Sequence, residues 1–173
     1  MTSSITDYRR YGGEPSQATE AQQAGIVDAL YRFAAGQDLR DRALLRSAFS
    51  DDARLDFTGP AKRLGAQMPV LEGGDAITDM IFASTEGLTT THSVTNPRVA
   101  VDHAGRGSLL ALVEAQHLPR GDHSRHLLLK NVYGVDLIRA TDSQKGARWV
   151  MQHVRIDTIW FTGDPSVLFP PAA

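Results

Sequence analysis

The side chains best suited to moving protons in this 173-residue chain are its six histidines, and two of them stand on strand-like rows that could face a common interior. His92 stands in "TTTHSVTNPRVAV", among small hydroxyl side chains. His117 ends "SLLALVEAQH", an otherwise apolar row. Strand parity decides which neighbours share a face. Over 107–118 the odd positions are Leu109, Ala111, Val113, Ala115 and His117. Over 90–102 the even positions include His92, Val94 and Asn96, and over 126–139 the odd ones are Leu127, Leu129, Asn131, Tyr133 and Val135. With the apolar rows turned inward, His92, His117, Asn131 and Tyr133 line one greasy pocket. An imidazole there can accept a proton near neutral pH, and its neighbours can donate hydrogen bonds to an oxygen that gains charge.

Each residue also has a plainer reading. A single histidine on an apolar face is usually a hydrogen-bonded core group; two on neighbouring strands shift that balance. Asn131 and Tyr133 could be packing residues with satisfied polar ends. Asp38, in "AAGQDLRDR", is either a turn residue or a carboxylate that holds an imidazole in one tautomer. Spacing alone does not bring it to His92. His103, His123 and His126 lie in or beside turns, where solvated histidines are the rule. His117, His123 and His126 with Asp122 match no standard metal-ligand pattern, so no metal site is expected. There is no cysteine, no G-x-S-x-G, no G-x-x-x-x-G-K-[ST] and no G-x-G-x-x-G, which removes thiolate, serine-elbow and nucleotide-loop chemistry.

The elements that must position these residues come in two blocks. Helical spacing begins near residue 18, with Ile26, Leu30 and Phe33 on one face, and Gly36 is the expected stop. Asp41 is the expected N-cap of a second, short helix, and "DDARLDF" reads as a brief strand. Residues 58–73, rich in Gly and Pro, read as a covering loop, and a third helix runs from about Asp75 to Ser84. After Gly87 the rhythm becomes period two, predicting strands at 90–102, 107–118, 126–139 and 148–161, with "HAGRG", "PRGDHSR" and "TDSQKG" as hairpin turns. Helices followed by an antiparallel meander indicate an α+β fold with a cavity between the layers. The expected organisation is a polar lead-in over 1–17 and one domain over 18–173.

Bulk composition narrows the partners. Hydrophobic residues make up 42 %, charged residues 22 %, and the net charge is −2, so nothing steers the chain to nucleic acid or an anionic membrane. No apolar run approaches a membrane span, and the N-terminus lacks a signal-peptide core, which makes the cytoplasm the expected location.

Four features together resemble the SnoaL-like branch of the nuclear transport factor 2-like superfamily: the helix ending in "YRFAAGQDLRD", the strand "THSVTNPRV", the finish "ARWVMQHVRIDTIWFTGDPSVL", and the order of elements. The resemblance implies a cone-shaped α+β barrel, three N-terminal helices on a curved antiparallel sheet, and a deep apolar pocket. Scytalone dehydratase and hexachlorocyclohexane dehydrochlorinase are the similar functional patterns. They place an Asp–His pair on Asp38 and His92, and the dehydratase's second pocket histidine falls on His117. Gln37 and Phe57 stand where the dehydratase has tyrosines. Arg139 matches the dehydrochlorinase's arginine, whereas its lysine has no counterpart.

The resulting expectation is a cofactor-independent acid–base enzyme acting on a hydrophobic cyclic small molecule. His92, Asp38 and His117 are the expected catalytic residues. Tyr133, Asn131, Phe57, Tyr31, Asn96 and Arg139 are the expected substrate-binding residues. Dehydratase-type elimination comes first, a polyketide-type cyclase or isomerase second, and a ligand-binding module without catalysis third. Kinship implies a homodimer or homotrimer, with Trp149, Trp160 and Phe161 as interface or core, and the tail "DPSVLFPPAA" over the pocket mouth or a neighbouring subunit.

Overall fold

Helix α1, Glu20–Asp38, starts at a capping box: Thr19 Oγ1 accepts from the Gln22 backbone N–H while Gln22 Oε1 accepts from that of Thr19. Its buried stripe includes Ile26, Ala29, Leu30, Phe33 and Gln37. The helix does not stop at Gly36. That glycine is buried where α1 meets α2 (Arg42–Arg46), and a Cβ there would lie 2.4 Å from the Leu45 backbone nitrogen. Close packing, not chain termination, requires it. Asp41 caps α2 as expected, accepting from Leu44 N at 2.9 Å.

The computed structural model describes residues 18–142 and 146–170; the expected lead-in at 1–17 and the middle of "TDSQKG" lie outside the described residues. Strand β1, Phe49–Asp56, leads to a short helix α3, Thr58–Arg63, in the stretch expected as a loop. The short strand β2 (Leu71–Glu72) and helix α4 (Gly74–Ser84) follow. So four α-helices, not three, precede the long strands among the described residues, and a single 3-10 turn, Pro165–Val167, follows them.

The second block is the sheet: β3 Leu88–Val101, β4 Gly107–Pro119, β5 Leu127–Asp142 and β6 Gly146–Gly163. The strand order is β2-β1-β6-β5-β4-β3, an open, curved six-stranded sheet. One feature departs from the expected antiparallel meander: β1 pairs with β6 in parallel, so the early strand closes onto the last one. A β-bulge in β3 between Thr95 and Arg98 inserts one residue. Inward parity passes there from even positions (Val94) to odd ones (Val99, Val101).

Ile26, Leu30 and Phe33 of α1 pack on Leu109, Ala111 and Val113 of β4 and on Tyr133, Val135 and Leu137 of β5. Each fully buried side chain of this size contributes about 1.5–3 kcal/mol. A second cluster, Leu64, Ala115, Leu127, Leu129 and Val167, forms nearer the chain's end, and Phe161 packs against it. Trp149 is core, whereas Trp160 is exposed. No described helix is long and apolar enough to cross a membrane.

Candidate functional site

Two features of the fold bring a carboxylate to an imidazole. Strand β3 is a sheet edge, so alternate backbone N–H groups face away from β4. The end of α1 lies along that edge. There the Asp38 carboxylate accepts from His92 N (Oδ2, 2.7 Å) and Thr90 Oγ1 (Oδ1, 2.9 Å), and its Oδ1 lies 2.7 Å from His92 Nδ1. Burial pushes the Asp38 pKa up, but hydrogen bonds and charge attraction from His92, helped by Thr90, outweigh it and hold the carboxyl below its ordinary value. An ionised carboxylate can only accept. Nδ1 of His92 therefore carries the hydrogen, leaving Nε2 bare. The imidazole is 4 % exposed, wedged edge-to-face between Phe33 (6.4 Å between ring centres) and His117 (5.9 Å).

His92 lines a cavity of about 310 Å³, while Asp38 sits behind the ring, outside the lining. Phe33, Leu55, Ile81, Leu129 and Ile156 supply apolar walls. No Lys, Arg, Asp or Glu lines the cavity among the described residues. The lining also carries His117, Asn131 and Tyr133. Burial, then the nearby His92, pushes the His117 pKa down to about 4, so this imidazole is neutral at pH 7. Burial, with the charge of Asp38, pushes the Tyr133 phenol up, so it remains a donor. Asn131 Oδ1 accepts from Thr158 Oγ1 at 2.8 Å, yet its Nδ2 and His117 Nδ1 are buried without a partner.

The structure thus brings Asp38, His92, His117, Asn131, Tyr133 and Phe57 to one place and leaves three expected residues elsewhere. Tyr31 is half-exposed on the flank of α1 beside buried Leu30. Asn96 sits in the β3 bulge with φ +53°, exposed, because the extra residue turns it off the inward row. Arg139 is exposed at the sheet end, its guanidinium stacked over the Trp149 ring at 4.8 Å. His123 and His126 are exposed whereas His117 is buried, so the turn histidines do not converge.

Other residues complete the lining. Gln37 reaches the cavity with its Nε2 donating to Phe33 O. Gln67, Met68 and Pro69 of the expected covering stretch 58–73, and Leu168 and Phe169 of the tail expected over the pocket mouth, border the cavity; residues 171–173 of that tail lie outside the described residues. Thr90 shares parity with His92, a signal that could have found it. Arg40, in the left-handed region at φ +56°, ties the turn after Asp38 to α4 by donating to Thr85 Oγ1 at 2.9 Å and stacking on Phe82.

Comparison with known proteins agrees with this architecture. A family model described as a SnoaL-like domain matches residues 19–155. The terrestric acid biosynthesis cluster protein E of Penicillium crustosum is 31 % identical over 146 residues, covering 82 % of this chain and 86 % of that protein. The Kfla4162 protein from Kribbella flavida superposes with a TM-score of 0.73 at 22 % identity, over 87 % of this chain and 98 % of that one. Hexachlorocyclohexane dehydrochlorinase LinA-type3 from Novosphingobium barchaimii LL02 gives 0.65 at 20 %, over 88 % and 96 %. The two solved structures speak to the fold. With its sheet, helices and matched length taken together, the chain belongs to the SnoaL-like domain family.

Proposed function

We propose that this protein is a cofactor-independent acid–base enzyme for a neutral, hydrophobic, cyclic small molecule, and that its reaction is a dehydratase-type elimination. The observation that carries the reading is the 2.7 Å contact between His92 Nδ1 and Asp38 Oδ1, made behind a cavity lined, among the described residues, by no Lys, Arg, Asp or Glu. Burying an unpaired ligand charge there would cost several kcal/mol, roughly, so a neutral ligand is favoured.

His92 Nε2 removes a proton from a carbon acidified by a neighbouring carbonyl. The electron pair of that C–H bond becomes the new C=C bond, and Asp38 stabilises the imidazolium. The C–O bond to the hydroxyl then breaks as His92 returns the proton, releasing water. His117 and Tyr133 hold the carbonyl oxygen as it gains charge, while Asn131 binds the ligand. A positioned base contributes about 10²–10⁴-fold and a preorganised donor about 10²–10³-fold. The kinship with a biosynthesis-cluster protein favours a second reading, a polyketide-type cyclisation or isomerisation by the same pair.

A panel of cyclic β-hydroxy ketones incubated in D2O tests this, with mass spectrometry of the products. Elimination predicts loss of one water, and cyclisation or isomerisation predicts deuterium uptake without it. Both must vanish in Asp38→Asn and His92→Gln. Ligands that raise the melting temperature of all three proteins equally, with no exchange in any, would leave only a binding module. The homodimer or homotrimer proposed from kinship would use the outer sheet face, where Leu110 and Leu112 lie against Val132; sedimentation tests it, and a monomer would contradict it.

A further inference from the structure

Asp38 occupies an unfavourable place for a negative charge. It is the last residue of α1, where the helix dipole presents its negative end, and no basic residue stands in that last turn. Its side chain is only 19 % exposed, so water screens it poorly. Three donors offset this, and all three come from one two-residue step of β3. The His92 N–H serves Oδ2, while the His92 ring and the Thr90 hydroxyl share Oδ1. Thr90 is itself buried and lies opposite His117 in the sheet register.

We propose that Thr90 is a positioning residue of this site: by donating to the same Asp38 oxygen as the imidazole, it fixes the rotation of the carboxylate and sets how tightly His92 holds a proton. The inference rests on the acid–base reading of the Asp38–His92 pair. The hydroxyl hydrogen is the positive end of a dipole placed against Oδ1, so it competes with an imidazolium for that oxygen. Removing it leaves more of the carboxylate's charge for His92, which then titrates at higher pH. The titratable groups facing the imidazole are Asp38 from α1 and His117 from β4, with Tyr133 of β5 reaching it through Phe33. His117 and Tyr133 are both neutral at pH 7, so the carboxylate and whatever donates to it dominate.

The test is a titration of the full-length protein labelled with 15N-histidine, the His92 signals being assigned by their loss in His92→Gln. Thr90→Val, close to threonine in shape but without the hydroxyl, is expected to raise the His92 midpoint by about half a pH unit. Thr90→Ser is expected to restore the parental midpoint, and Asp38→Asn to lower it. Thr90→Ala serves as a second hydroxyl-free variant should Thr90→Val fold poorly. A midpoint that stays put or falls in the hydroxyl-free variants, while Asp38→Asn still lowers it, overturns the role of Thr90 and leaves the pair intact. A midpoint indifferent to Asp38→Asn as well overturns the pair itself.

Discussion

At the Asp38 end of the site, behind the His92 ring, three donors from Thr90 and His92 converge on a single carboxylate. Asn131 Nδ2, farther along the lining, and His117 Nδ1, beside the His92 ring, are buried with no hydrogen-bond partner. Both ends are buried or nearly so, but they store opposite things. A satisfied network in a low-dielectric place is rigid and needs no ligand to complete it. An unmade hydrogen bond in the same surroundings costs about 1–3 kcal/mol, recovered when something with an acceptor arrives. On the proposed function, preorganised proton chemistry belongs to the Asp38 end and ligand recognition to the Asn131 end.

Breaking the first end has the largest expected effect. Asp38→Asn and His92→Gln should each lower turnover about 10²–10⁴-fold while changing ligand affinity little, measured by kcat and by calorimetric titration. Equal losses in affinity and turnover would mean that the two ends are not separable.

Acid separates them next. His117 is held neutral in the fold, with its pKa near 4 against an ordinary 6.5. The unfolded chain therefore binds more protons than the native one between those values, and stability falls as pH drops from about 6.5 to about 4, by about 3 kcal/mol in total. Asp38, held below its ordinary value, contributes stability that is present above pH 3.8 and disappears only as the pH falls below that. Urea denaturation from pH 7 to pH 3 should show two successive losses, the upper one flattened in His117→Leu and the lower one in Asp38→Asn.

Asn131→Ala should act on recognition, weakening ligand binding about 5–10-fold, or about 1 kcal/mol, with kcat within about threefold of the parent. Arg139→Ala, at a residue belonging to neither end, should cost only about 0.5–1 kcal/mol of stability through lost stacking on Trp149, and no activity.

Strand parity made His92, His117, Asn131 and Tyr133 legible as one group, because the period of two is a property of the backbone and survives any packing detail. It failed at Asn96 for the same reason. One inserted residue reverses the parity, and the sequence "SVTNPRV" does not announce it before the bulge forms. Asp38 became a partner for His92 only through resemblance, since α1 and β3 meet by tertiary packing across 54 positions of chain. The parallel pairing of β1 with β6 was hidden likewise, being a contact between the first and last long strands. Helix α3 was read as loop because "TGPAKR" has no helical stripe and owes its turn to what surrounds it. That 58–73 and the tail could cover the pocket was legible, but which of their side chains border it, such as Met68, Leu168 and Phe169, depends on where two irregular segments fold back, which no periodicity encodes.

The most direct measurement of the central claim is the tautomer of neutral His92, read from its two 15N shifts above its midpoint. A hydrogen on Nδ1 with Nε2 bare, lost as a fixed preference in Asp38→Asn, is the expected result. A hydrogen on Nε2, or a mixture of tautomers unchanged by Asp38→Asn, would contradict it.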